Sequence, residues 1–236
     1  MMRTMILISG PSATTSSDDK MIIRISGIFA RDGESVCVCF EMISDGGEHR
    51  DTEKFILSAG QLARLGLSKG ECDKELYETV CNEAKLNEAM RRAMRSLEYG
   101  SCSKKALKIK LIRSGFDKDV ASEVIKRLED DGLLDDTDTA CREAERDLKK
   151  LWGRRRIEAE LYKKGYGAES VRAALRYIDR VGADYVANCK RLINKKLRAS
   201  VCTPDEQKKL YAALARYGYS QGEIRQAMCE LDIEDE

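Results

Sequence analysis

The residues of this chain best suited to chemistry are few, and their spacing argues against catalysis. Nine cysteines lie at positions 37, 39, 72, 81, 102, 141, 189, 202 and 229 with no CxxC pair, and the single histidine is His49. A zinc site draws thiolates and imidazoles from closely spaced pairs, so this pattern predicts no metal centre. An odd number of scattered cysteines reads instead as reduced thiols used as small core residues in a cytoplasmic protein. Cys37 and Cys39 share one face of a strand, where packing is the better account. The adjacent carboxylates Asp135 and Asp136 have the make-up of a metal pair or a general acid/base pair, but they stand before a helix whose first turn favours negative charge. The run Met5 to Ser17 leads an apolar stretch into Gly10-Pro11-Ser12, as a phosphate loop would. Thr15 and Ser16 then occupy the positions where a second glycine and a lysine would be needed to converge on phosphates. The expectation is a protein with no cofactor and no enzymatic activity.

Positive charge is the remaining chemistry. The formal net charge of +1 hides an asymmetry. Residues 1–83 hold 9 Lys and Arg against 14 Asp and Glu, whereas Arg142 to Arg198 holds 17 against 8. The stretch Arg154 to Tyr166, RRRIEAELYKKGY, is the most basic short segment, with Arg154, Arg155, Arg156, Lys163 and Lys164. Arg172, Arg176 and Arg180 recur every fourth residue away from Val171, Leu175 and Ile178. Arg191, Asn194, Lys195 and Arg198 form a stripe opposite Val186, Cys189, Ile193 and Leu197. Basic ridges of this kind suit a phosphate backbone or an acidic protein surface. For any one of these residues, an ordinary solubilising charge is the competing account.

The elements that must position these ridges follow from periodicity. Charged residues make up 35% of 236 residues, aromatic residues 6%, and there are two prolines, which favours helices with solvated faces. Between Met21 and Leu57 the period is two: Ile23, Ile25 and Ile28, then Val36, Val38 and Phe40, then Lys54 to Leu57, with Asp32-Gly33 and Gly46-Gly47 as turns. A three-stranded meander is predicted there, followed by a short helix capped by Ser58. A long helical stretch from Asp73 to Leu97 carries an interruption near Asn82 to Asn87.

Beyond it the chain repeats. Leu111, Gly115 and Phe116 are echoed by Leu161, Gly165 and Tyr166, and again by Leu214, Gly218 and Tyr219. Counted from each glycine, apolar residues fall at +6, +9, +10 and +13 in all three copies. A further helix precedes each hairpin, at Leu86 to Glu98, Thr137 to Leu151 and Asp184 to Arg198. The predicted fold is mostly α: three tandem three-helix repeats in an elongated array, with a small β-containing N-terminal part. The expected boundaries are a flexible leader 1–20, a β-meander and helix 21–83, and repeats at 84–134, 135–182 and 183–236. No apolar run is long enough for a membrane span, and the first ten residues do not read as a secretion signal.

Several stretches carry a family resemblance over some two thirds of the chain. They are Gly66-Leu67-Ser68-Lys69-Gly70, Ser103 to Leu111 with Ser114-Gly115-Phe116, Leu128 to Asp136 with Ala140, and Gly153 to Leu161 followed by Lys164-Gly165-Tyr166. In this order, with the threefold repeat, they resemble the RecX family of regulatory proteins that bind the RecA recombinase. Ala106 and Thr139 depart from the family pattern at positions that carry no chemistry. The resemblance implies a non-enzymatic regulator that lies in the groove of a RecA filament on single-stranded DNA and limits its activity; stacked repeats with their own terminal units need no partner to close, so a monomer is expected. Arg154, Arg155, Arg156, Lys163, Lys164, Arg172, Arg176, Arg191, Lys195 and Arg198 are the candidate contacts to RecA, or to single-stranded DNA directly or through RecA. The competing reading is a helical-repeat protein that binds DNA without RecA, since helix, glycine, helix resembles a helix-turn-helix.

Overall fold

The computed structural model describes residues 21–44, 50–196 and 204–231. The predicted leader, His49, Arg198 and Cys202 lie outside the described residues. Two compact units divide the chain, Met1–Asn87 and Glu88–Glu236.

In the first unit, alternation produces β1 (Ile22–Ala30), β2 (Ser35–Ile43) and β3 (Arg50–Ser58), paired antiparallel in sequence order. The turn between β1 and β2 is closed by Asp32, whose carboxylate accepts from the amides of Glu34 and Ser35 at 3.2 and 2.7 Å. A bulge between Ile25 and Gly27 shifts the register, so Ile25 opposite Phe40 and Ile28 opposite Val38 share a face despite their spacing of three. Ser58 caps α1 (Ala59–Arg64) in a capping box with Gln61.

Two sequence expectations need correction in this unit. The meander gains a fourth strand, β4 (Gly70–Cys72), paired with Ile23 to Ile25; three residues are too few for alternation to show. Secondly, α2 (Lys74–Glu98) runs without interruption through Asn82 to Asn87. The polar residues there have partners: the Asn87 amide donates to Gln61 Oε1 at 2.7 Å and to the Ile56 carbonyl at 3.3 Å, and Gln61 donates to Glu83 at 2.6 Å. With those groups satisfied and no glycine or proline present, nothing breaks the helix. Ile23, Ile25, Val38, Phe40, Leu57, Leu67 and Val80 form the core of this unit.

The second unit continues from the end of α2 through α3 (Lys104–Arg113), α4 (Lys118–Asp130), α5 (Asp136–Lys149), α6 (Arg154–Lys163), α7 (Ala168–Arg180), α8 (Tyr185–Lys196), α9 (Pro204–Arg216) and α10 (Gln221–Cys229). The threefold pattern sets which residues are inside. Ala121, Val124, Ile125 and Leu128 are buried, as are Val171, Ala174, Leu175 and Ile178, and Ile224, Ala227 and Met228; Leu231 is half-buried. Each large side chain so placed contributes roughly 1.5–3 kcal/mol relative to exposure. The second and third repeats have separate cores, and Leu151, just beyond α5, inserts into the third.

Candidate partner-binding surface

The basic stretch beginning at Gly153 starts at a joint between repeats. Gly153 is the N-cap of α6 and has no side chain to cap it. Its amide donates to the Tyr217 carbonyl at 2.8 Å, and the Arg155 amide donates to the Gly218 carbonyl at 3.2 Å. Unpaired donors of the first turn are thus satisfied by the backbone after α9. A methyl on Gly153 would sit 2.4 Å from the Gly218 carbonyl carbon, so the approach requires glycine. The Tyr219 hydroxyl donates to the Leu151 carbonyl at 2.8 Å across the same joint.

The preceding joint has the same plan with a side chain added. Ser103, N-cap of α3, accepts from the Ala106 amide at 3.1 Å and donates to the Lys164 carbonyl at 2.7 Å, beside the turn after α6. The Lys104 amide donates to Asp136 at 2.8 Å. Asp135 caps α5 itself by accepting from Thr137 and Asp138 at 2.7 and 3.2 Å. The aspartate pair therefore terminates two helices. Burial nevertheless pushes the Asp136 carboxyl up, more than the Lys104 amide and charge pull it down.

These joints divide the predicted site residues. Arg156 packs between aromatic rings, 4.1 Å from the Trp152 centroid and 5.1 Å from that of Tyr217. Arg154 pairs with Asp179 at 3.1 Å. Lys164 lies over two carboxylates buried on α5, 2.5 Å from Glu143 and 3.5 Å from Asp147. Burial opposes the charge on Glu143, but Lys164, Arg146 and Ser101 outweigh it and hold this carboxyl below its ordinary value. Burial likewise opposes the charge on Lys164, and the two carboxylates hold its ammonium above its ordinary value. Asp147 pairs with Lys150 at 2.7 Å through one oxygen, while the other is buried without a hydrogen bond.

The remaining cations face solvent. Lys163 is weakly tied to Glu160 at 3.4 Å and Arg172 to Glu169 at 3.9 Å. Arg155, Arg176, Arg191 and Lys195 are exposed and make no ion pair among the described residues. Arg191 and Lys195 are brought together with Lys149, Lys150 and Asn194 around an open cleft of about 700 Å³ floored by Leu151 and Leu192. Lys149 and Lys150 were not legible as site residues. They belong to the basic run from Arg142, but only the turn at Leu151, with its positive φ of 60°, sets them against α8. Among the described residues there is no group of three or more His, Cys, Asp or Glu fit to hold a metal ion, and no helix long and apolar enough to cross a membrane.

Comparison with known proteins places these elements in a family. Residues 89–128 match the model of the RecX first three-helix domain and residues 183–228 that of the third. The chain is 31% identical over 147 residues to the regulatory protein RecX of Xanthomonas axonopodis pv. citri, covering 62% of this chain and 88% of that protein. It is 34% identical over 132 residues to that of Mycobacterium ulcerans, covering 54% of this chain and 75% of the relative. A crystal structure of regulatory protein RecX superposes with a TM-score of 0.67 at 20% identity, covering 90% of this chain and 100% of that one. RecX from Lactobacillus salivarius superposes with a TM-score of 0.53 at 24% identity, covering 64% and 98%. At these identities the two structures speak to the fold.

Proposed function

Since this chain belongs to the RecX family of regulatory proteins, we propose that it binds the RecA recombinase filament on single-stranded DNA, in its helical groove, and limits recombinase and ATPase activity. It does so in the cytoplasm as a monomer, by occupying the filament and not by catalysis. The observation that carries this reading is the set of exposed cations without carboxylate partners among the described residues, Arg155 and Arg176 in the second repeat and Arg191 and Lys195 in the third. Arg172 and Lys163, held only at 3.9 and 3.4 Å from their glutamates, join them. Several modest contacts spread over successive repeats bind a repeating filament tightly, because the first contact raises the effective concentration of the rest.

Insertion into a duplex groove fits less well. A recognition helix presents donors from its first turn to base edges. Here α4, α7 and α10 carry Asp119, Glu169 and Glu223 in that turn, and Glu223 is engaged in a capping box with Ser220. The test is charge reversal at Arg155, Arg172 and Lys195 together. Inhibition of RecA-dependent ATP hydrolysis is lost while the thermal melting curve is kept; inhibition at the wild-type level in that variant refutes the reading.

A further inference from the structure

We infer that Cys37 and Cys39 on β2 form a two-sulfur site for a soft monovalent cation, copper(I). The site lies in the first unit, apart from the basic repeats, and does not depend on the recombinase reading.

Strand geometry places the pair. Alternation turns Val38 and Phe40 into the core of the first unit, to which neither cysteine belongs. Cys37 and Cys39 therefore stand side by side on the opposite face of the sheet, and packing in that core does not account for them. Residues two apart in a strand are about 6.6–6.8 Å apart at Cα, the far end of the span that a disulfide bridges. One ion between the sulfurs adds two bonds of about 2.3 Å each and closes the gap without bending the strand.

The neighbours suit a pair of thiolates. The register sets Lys54 of β3 opposite Cys39 and Phe29 of β1 opposite Cys37. Two thiolates around one monovalent cation leave a single negative charge, which the Lys54 ammonium balances. Gly27, the β1 partner of Cys39, makes room for the Phe29 ring: a methyl on Gly27 would lie 2.4 Å from Phe29 Cε2. The ring thus lies beside Cys39, which is buried although it stands outside the core. Burial and the Cys37 thiol push the Cys39 thiol up, more than Lys54 pulls it down, so an entering ion sends the proton of this sulfur to solvent.

Ligand count selects the ion. Zinc takes four ligands in a closed site, and among the described residues no group of three or more His, Cys, Asp or Glu could hold a metal. Glu41, the next residue along this face, is engaged by Arg24 at 2.9 Å. Copper(I) is soft, prefers thiolates and is satisfied by two of them.

The experiment titrates the full chain, reduced and without oxygen, into the coloured complex of copper(I) with bicinchoninate. The expected result is that wild type removes one more equivalent of copper(I) than C37S/C39S, while C102S/C141S matches wild type. C37S alone weakens the site more than about a hundredfold, since loss of a ligand exceeds the loss of a neighbour, and K54E weakens it about tenfold. Affinity rises at least about tenfold per pH unit between pH 6 and 7.5, one proton being displaced from Cys39. X-ray absorption of the loaded chain shows two sulfur neighbours. Equal copper uptake by wild type and C37S/C39S overturns the assignment. So does a third sulfur neighbour, which indicates a bridge between copies, or displacement of copper(I) by an equal concentration of zinc. Should C37S/C39S melt below wild type, C37S and K54E decide: unchanged affinity in both overturns the site.

Discussion

Gly153 and Gly218 meet backbone to backbone, 65 positions apart in sequence, and a methyl on Gly153 would lie 2.4 Å from the carbonyl carbon and oxygen of Gly218. The Gly218 carbonyl meanwhile accepts from Arg155 at 3.2 Å. The start of the basic helix α6 is thus docked on the glycine turn of the following repeat. The same relation recurs at Ser103 and the turn after α6. An N-cap seated on the next repeat's turn is the recurring joint of this fold.

Gly153→Ala forces this joint apart and costs about 1–3 kcal/mol, as overpacking of a close contact does. Gly222→Ala is the control: it lies in the first turn of α10 with open space around it, so it leaves stability unchanged or raises it by roughly 0.5 kcal/mol. Urea denaturation of the two variants checks the opposite signs.

Ser103→Ala removes the cap of α3 and strands the Lys164 carbonyl of the next repeat. Ser103 is 1% exposed, so water does not replace it. A loss of about 1–2 kcal/mol follows, with Ser103→Thr recovering part of it. Differential scanning calorimetry distinguishes the two.

Lys164→Met changes the sign of a pH dependence. In the wild type, the lowered Glu143 carboxyl contributes stability that is present above the ordinary glutamate value of 4.5 and lost as pH falls through its lower folded value. Lys164, whose ammonium is raised, contributes stability present below its ordinary 10.5 and lost as pH rises through its folded value. Without Lys164, burial dominates at Glu143, so acidification from pH 7 to 5 stabilises the variant relative to wild type. Stability curves across that range that run parallel for the two proteins refute this account.

Arg155 and Arg156 are neighbours with different duties. Arg156→Leu strips a cation from Trp152 and Tyr217, costs about 0.5–2 kcal/mol and shifts Trp152 emission, while recombinase inhibition survives. Arg155→Glu leaves the melting curve unchanged and weakens inhibition, since its side chain is exposed and unpaired among the described residues. Emission spectra with ATPase assays of both variants read the contrast.

The repeat itself was open to reading from residue types, because burial on a helix obeys a period of 3.6 that the chain spells out locally. Ala121, Val171 and Ile224 stand six residues after their glycines, and all three are buried. The strand pattern of Val36, Val38 and Phe40 was legible for the same reason, whereas β4 was not, being three residues long. Charge has no such period. Arg154, Arg155, Arg156, Lys163 and Lys164 look alike in one dimension, and only tertiary contacts give Arg154 to Asp179, Arg156 to Trp152 and Lys164 to Glu143, leaving Arg155 to solvent. The same contacts set Lys149 and Lys150 beside Arg191 and Lys195 across more than forty positions of sequence. The sequence by itself determined helices, their apolar faces and the threefold plan, since these depend on near neighbours. Which cations are spent on the fold and which are left facing solvent was decided by the tertiary structure, because a cation's intramolecular partner lies wherever the packing of the repeats brings a carboxylate or a ring.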